Sequence, residues 1–123
     1  MKTNKKNIIE KVNNAFSQNK PEDFLSLCSE NISWRMVGDK TVTGKDEVRK
    51  WMATGMGNVG MSPEPPIFDI TKIIEEDNYA TAFGEMKQKK MNGDVVKFSF
   101  CDIYKFENDI IIELIAFVSN SEL

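Results

Sequence analysis

Three short polar connectors divide the second half of this chain: Asp77-Asn78, Asn92-Gly93-Asp94 and Asn108-Asp109. Their residue types tolerate left-handed backbone and close tight hairpins. The segments they separate, about 67–76, 79–90, 95–107 and 110–119, are rich in β-branched and aromatic residues and read as strands. Connectors this short leave no room for a crossover, so four successive strands must run as an antiparallel meander. For this half of the chain, helical bundles and parallel α/β folds are excluded.

The first half has a different period. Residues 5–18 place Ile8, Ile9, Val12, Ala15 and Phe16 on one stripe, the spacing of an amphipathic helix. Asn19-Lys20-Pro21 ends it. Pro21 suits the first turn of a second, short helix, with Glu22 and Asp23 near its positive end and Phe24, Leu25, Leu27 and Cys28 buried. Residues 31–37 alternate Ile32, Trp34 and Met36 against Ser33 and Arg35, a strand with one wet face. Gly38-Asp39-Lys40 turns. Thr43 is the expected N-cap of a third helix, with Asp46 three residues on and Val48, Trp51 and Met52 facing inward. Residues 55–66 are rich in glycine, methionine and proline; they read as a loop, either a lid over a site or a plain linker. Helices first and antiparallel strands after predict an α+β fold, with three N-terminal helices packed on a strongly curved, mostly antiparallel sheet. At 123 residues this is one domain over 1–123.

Within the predicted strand 95–107, one face carries Phe98, Phe100, Asp102, Tyr104 and Phe106. A carboxylate among rings loses hydration, which favours its protonated form unless a cation or donors compensate. Asp102 is therefore a candidate site residue. Three roles are open to it: catalysis, anchoring a ligand, or a structural acid satisfied by Tyr104, by backbone or by Arg35. Trp34, Met36, Trp51, Phe68, Phe83, Phe98, Phe100 and Tyr104 are the candidate lining of an apolar pocket; the alternative is that most of them form ordinary core. Glu85 and Glu113 lie within strand patterns, either as a proton-moving base or as outward partners of cross-strand lysines.

Composition narrows the chemistry. The chain has no histidine, which removes Ser-His-Asp and Cys-His nucleophiles and every His-ligated metal site. Only Cys28 and Cys101 are present, so no disulfide framework and no CxxC motif exists. Neither P-loop nor Rossmann glycines appear. We expect no metal and no cofactor. The net charge of −3 argues against nucleic acid as the main partner. No segment is long and apolar enough for a bilayer, and the polar N-terminus lacks a signal-peptide core, so a cytoplasmic location is expected.

The order helix, helix, strand, helix and then a long meander resembles the cone-shaped α+β barrel of the nuclear transport factor two-like superfamily, which includes ketosteroid isomerases and SnoaL-like polyketide cyclases. The residues that carry the resemblance are Lys20 to Cys28, Ile32 to Arg35 followed by Gly44 to Val48, and Cys101 to Ile111. In ketosteroid isomerases a first-helix tyrosine and a protonated late-strand aspartate stabilise a dienolate, while a second aspartate moves the proton; the handling of that neutral acid is well known for this enzyme. By pattern the late-strand aspartate falls on Asp102. The tyrosine falls near Val12 and the proton-moving aspartate near Met36, so steroid isomerisation by that route is not expected.

The resemblance implies a small-molecule pocket protein whose apolar ligand carries a polar oxygen, with isomerase- or cyclase-type proton transfer as its enzymatic form. The alternative is a non-catalytic homodimeric binding or interaction module paired through the sheet, with Ile110, Ile112, Leu114 and Val118 as a candidate outward apolar stripe if the other strand parity faces the cone.

Overall fold

The structure, a computed structural model, describes residues 5–54 and 62–120. Helix α1 spans Lys5–Ser17 and α2 spans Pro21–Leu25. Strands β1, Cys28–Met36, and β2, Thr41–Thr43, form a hairpin that leads into α3, Lys45–Ala53. Strands β3, Ile67–Glu76, β4, Tyr79–Lys89, β5, Val95–Glu107, and β6, Ile110–Asn120, complete the chain. Asp77, Asn108 and Asp109 all take positive φ, as the tight connectors demand.

The expected α+β fold is present, with a difference at the sheet edges. All six strands form one sheet in the order β2-β1-β6-β5-β4-β3. Because β2 and β3 lie at opposite edges, the sheet curves but does not close into a barrel. Every neighbouring pair is antiparallel except β1 and β6, which run parallel. Strand β2 is three residues long and carries no alternation to be read from sequence.

The third helix also starts differently from expectation. Its N-cap is Gly44, not Thr43, and no side chain caps it. Gly44 has φ +91, a conformation that costs a side-chain-bearing residue strain. Its N–H donates to the Ile32 carbonyl at 2.8 Å, tying the helix start to β1.

Alternation sorts the sheet into two faces. The inner face carries Ile32, Trp34, Ala80, Ala82, Phe100, Tyr104, Phe106, Leu114 and Ala116, all buried. Against it pack Ile8, Ile9, Val12 and Ala15 of α1, Phe24 and Leu25 of α2, and Val48 and Trp51 of α3. Helix α1 lies over β3 and β4, and α2 and α3 lie over β1, with α3 also reaching β2, so the helices pack over the two sides of the inner face. Burying side chains of this size stabilises the fold by roughly 1.5–3 kcal/mol each.

Two irregularities decide what faces inward. Between Lys105 and Phe106 the β5–β6 register shifts, so Phe106 pairs with Ile111 and Lys105 with Glu113. Ile112 is the extra residue, and both Ile111 and Leu114 become buried. The expected outward stripe of Ile110, Ile112, Leu114 and Val118 therefore does not exist: Leu114 is core, and Val118 pairs with Phe100 of the inner face. On β3 the register shifts between Ile70 and Lys72. There the β3 backbone closes on Gly84, and a Cβ at Gly84 would stand 2.8 Å from the Thr71 nitrogen and overlap the Asp69 carbonyl.

The glycine- and methionine-rich stretch read as a lid or linker falls largely at residues 55–61, outside the described residues. No described helix is long and apolar enough to cross a membrane.

Candidate functional site

Asp102 stands midway along β5 on the inner face. The register places it in one row with Met36, Ala116, Ala82 and Ile73, reading from β1 to β3. Its two immediate cross-strand neighbours are thus alanines, both buried. The next row holds Val118, Phe100, Gly84 and Ile70, and the row on the other side holds Trp34, Leu114, Tyr104 and Ala80. Small residues on β4 and β6 leave the acid standing above its surroundings, with rings on both sides along its own strand.

No hydrogen bond or ion pair reaches the Asp102 carboxylate from the described residues. The residue is half-buried. Burial, with no cation to offset it, pushes its pKa up to about 7 from an ordinary 3.8. The structural roles left open by the sequence fail in two respects. Arg35 is exposed on the opposite face of the sheet, and the Tyr104 hydroxyl makes no hydrogen bond to any described residue.

Tyr104 is fully buried, and its hydroxyl is one of two buried side-chain polar atoms without a partner among the described residues. The other is the indole Nε1 of Trp34. Burial, then the Asp102 charge, then Cys28 push the Tyr104 hydroxyl well above its usual pKa, so it is a hydrogen-bond donor, not a phenolate. A buried hydroxyl or N–H without a partner costs on the order of 1–3 kcal/mol, so two of them on one face call for something to bind.

Aromatic contacts join the sheet to the helices above this face. Trp34 meets Trp51 of α3 edge-on at 5.1 Å, Phe24 of α2 edge-on at 5.3 Å, and Phe16 of α1 in a stacked arrangement at 5.7 Å. Phe16 touches Phe68 at 6.0 Å, and Phe68 meets Phe100 edge-on at 5.7 Å. Phe68 and Phe100 sit on strands β3 and β5, which flat sheet spacing would hold about 9–10 Å apart. Phe68 is in register with Met86, one row from Gly84 and Phe100, so the contact runs diagonally across β4 beside the side-chain gap at Gly84.

The structure brings most of the candidate residues together. Trp34, Trp51, Phe100 and Tyr104 are buried, and Met36, Phe68 and Phe98 are half-buried, all of them facing the helix side. Phe83 stands apart. It pairs with Cys101 on the outer face, so it shares no recess with Asp102. The same parity puts Glu85 and Glu113 outside, and neither serves as a base for Asp102's face. Met36 does lie in Asp102's row, so a thioether occupies the place where the resemblance puts a proton-moving acid. Neither thiol is a nucleophile: burial pushes Cys28 up to about 12, and burial followed by the Asp102 charge raises Cys101.

On the outer face an open groove of about 740 Å³ is lined by Val37, Thr71, Phe83, Glu85, Ser99, Cys101, Phe117 and Ser119 among others. Phe100, Gly84 and Val118 of the row next to Asp102 border it as well. Its lining includes the Cys101 thiol, whose pKa burial raises, but not Asp102.

The sequence matches the SnoaL-like domain over residues 9–114. The chain belongs to the SnoaL-like family. No curated protein matches it. Among solved structures, a nuclear transport factor two-like protein of unknown function from Burkholderia pseudomallei is similar, with a TM-score of 0.85, 16% identity, and coverage of 98% of this chain and 95% of the other. A putative SnoaL-like polyketide cyclase from Shewanella putrefaciens has a TM-score of 0.81 at 10% identity, covering 95% and 80%. An epoxide hydrolase from Mycobacterium tuberculosis, described as LEH-like, has a TM-score of 0.77 at 13% identity, covering 95% and 84%. At these identities the likeness is one of fold.

Sequence reasoning missed the small residues of this SnoaL-like domain's inner face. Ala80, Ala82 and Gly84 recur at every second position of β4, and Ala116 answers them on β6. A period-two run of small residues inside a strand marks a place where the opposing layer, or a ligand, comes close.

Proposed function

We propose that this SnoaL-like domain binds an apolar small molecule against the inner sheet face, with a ligand oxygen held by Asp102. The observation that carries this reading is the isolation of the Asp102 carboxyl. It stands between Ala82 and Ala116, without a partner among the described residues, on a face where the Tyr104 hydroxyl and the Trp34 indole also lack one. At pH values below about 7 the carboxyl is protonated and donates to a carbonyl or hydroxyl oxygen. The aromatic cluster supplies the apolar surroundings. In its enzymatic form the site would shift a proton beside a carbonyl, as isomerases and cyclases do. Asp102 is the electrophilic donor of that reaction, and Met36 does not supply a base.

Trp34 and Trp51 report on this site directly. Their fluorescence, followed while aromatic ketones, enones and epoxides are titrated, should change saturably in the wild type and much less in Asp102→Ala. Equal affinity in both proteins would overturn the role of Asp102. Conversion of the same compounds, followed by chromatography, addresses turnover; equal or absent conversion in both proteins removes the enzymatic form and leaves binding.

A second reading is favoured by the outer face. Ile74, Phe117 and Val37 remain 49%, 43% and 37% exposed there, beside the half-buried Ile103, Ile115 and Phe83. An apolar band of this kind on a sheet is poorly suited to water and fits a second copy of the chain. Light scattering at micromolar concentration tests this, and a monomer would count against it.

A further inference from the structure

We infer that a separate site at one end of the sheet binds a small zwitterion, a molecule carrying both a carboxylate and an ammonium group, between Lys5 at the start of α1 and the acids Asp77 and Asp109 of two tight turns.

The backbone brings these residues together. The Phe106 N–H donates to the Asn78 carbonyl at 2.8 Å, which ties the β3–β4 turn to the end of β5. Strand β5 leads directly into the Asn108-Asp109 turn, so both turns stand at the same end of the sheet. The start of α1 lies there as well, with the Lys5 Nζ 5.9 Å from the centre of the Phe106 ring. Between them is an open recess of about 460 Å³, lined by Lys5, Asp77, Asn78, Phe106, Asn108 and Asp109. That volume is within the range of small-molecule sites. Asp102 does not line it, and its row lies further back along β5.

The recess has two poles. At the positive one, Lys5 is only 4% exposed. Its ammonium has no hydrogen bond or ion pair among the described residues, and its one contact is the Phe106 ring. The first turn of α1 contains no acid, so the positive end of the helix dipole adds to Lys5 uncompensated. A charge so nearly buried costs free energy unless an opposite charge or a polar atom answers it. At the negative pole, Asp77 and Asp109 are exposed, and they too form no ion pair among the described residues. They line the same recess as Lys5, yet neither reaches it in an ion pair. A simple anion would answer Lys5 and be repelled by two carboxylates; a simple cation would meet the converse. A molecule with both charges answers both poles at once. The carboxamides of Asn78 and Asn108 at the rim can donate to its carboxylate or accept from its ammonium.

Titration of nitrogen-15-labelled protein with glycine, β-alanine and 4-aminobutyrate, beside acetate and methylammonium, tests the site by the shifts of its amide signals; salt of about 0.02 M keeps screening weak. The amides of Lys5, Asn78, Phe106 and Asp109 should shift saturably with at least one of the three zwitterions. Acetate and methylammonium should bind about tenfold more weakly, because each meets one pole only. Lys5→Met keeps an apolar side chain over Phe106 and removes the charge. Asp77→Asn/Asp109→Asn removes the opposite pole with a residue that tolerates left-handed backbone. Each should weaken the zwitterion about tenfold, and the same spectra show whether each variant folds. If Lys5→Met does not fold, the asparagine double variant decides alone. Acetate or methylammonium binding as tightly as every zwitterion overturns the proposal in favour of a one-charge site. So does the absence of any saturable shift, which leaves Lys5 as a hydrated lysine, and so does unchanged affinity in a folded variant.

Discussion

Asp102 and Ala116 face each other across the β5–β6 ladder, so the half-buried acid meets a methyl group where a cation or a donor would be needed to hold its charge. Ala82 repeats the arrangement on the other side. The consequence is a carboxyl whose pKa burial pushes up to about 7.

This geometry makes stability depend on pH in a defined direction. The folded-state pKa of about 7 lies above the ordinary 3.8, so the native state binds the proton more tightly than the unfolded chain does. The stabilisation is fully present below about pH 3.8 and is lost as pH rises through about 7. We expect the unfolding free energy measured by urea denaturation to fall between pH 5 and pH 8 by on the order of a few kcal/mol, and Asp102→Asn to remove most of that slope. A slope unchanged in Asp102→Asn would show that the acid is already paired.

The alanine opposite the acid should also set the room available to a ligand. Ala116→Leu places three further carbons beside Asp102, at a stability cost of roughly 1–3 kcal/mol for overpacking. Affinity for any ligand identified by tryptophan fluorescence should drop at least about tenfold. Unchanged affinity in a folded Ala116→Leu protein would move the ligand away from this row.

Much of this was legible in the chain. The four long strands follow from their connectors, and the starts of α2 and α3 follow from proline and acid spacing to within a residue, whereas α2 ends at Leu25 and Cys28, grouped with it by its apolar character, opens β1. Asp102's side of β5 was readable because that strand alternates without interruption. What could not be read was which neighbours share its face. The extra residue at Ile112 reverses β6, so that Leu114 is core although simple alternation groups it with Ile110. Phe83 lines the outer groove and not Asp102's face, because its register with Cys101 sends it outward. Bulges and registers come from contacts distant in sequence, and local composition carries no mark of them. Gly44 took the cap from Thr43 for a similar reason: its N–H is held by the Ile32 carbonyl, on a different element.

Gly84 gives a sharp test of the curvature that assembles the site. Its Cα lies against the β3 bulge, and a Cβ would stand 2.8 Å from the Thr71 nitrogen, a backbone atom that cannot rotate away. Gly84→Ala should therefore destabilise the protein by about 3 kcal/mol or more, well beyond a typical surface substitution. Thermal unfolding measures this, and a melting temperature within a degree or two of wild type would show that β3 is not held against β4 as described.

Tyr104 separates a structural interior from a binding one. Its hydroxyl is buried without a partner among the described residues, a state that costs free energy in the unliganded protein. Tyr104→Phe keeps the ring and its 6.3 Å contact with Phe106 and removes only that hydroxyl. In the unliganded protein the substitution should be neutral or should stabilise by about 1 kcal/mol, because no hydrogen bond is lost. If a ligand oxygen normally answers the hydroxyl, the same substitution should weaken ligand binding about tenfold, since a donor hydrogen bond to the ligand disappears. Urea denaturation and fluorescence titration of the one variant give both quantities. A loss of stability without ligand would show that Tyr104 already has an internal partner, and stability gained with affinity unchanged would place the ligand beyond its reach.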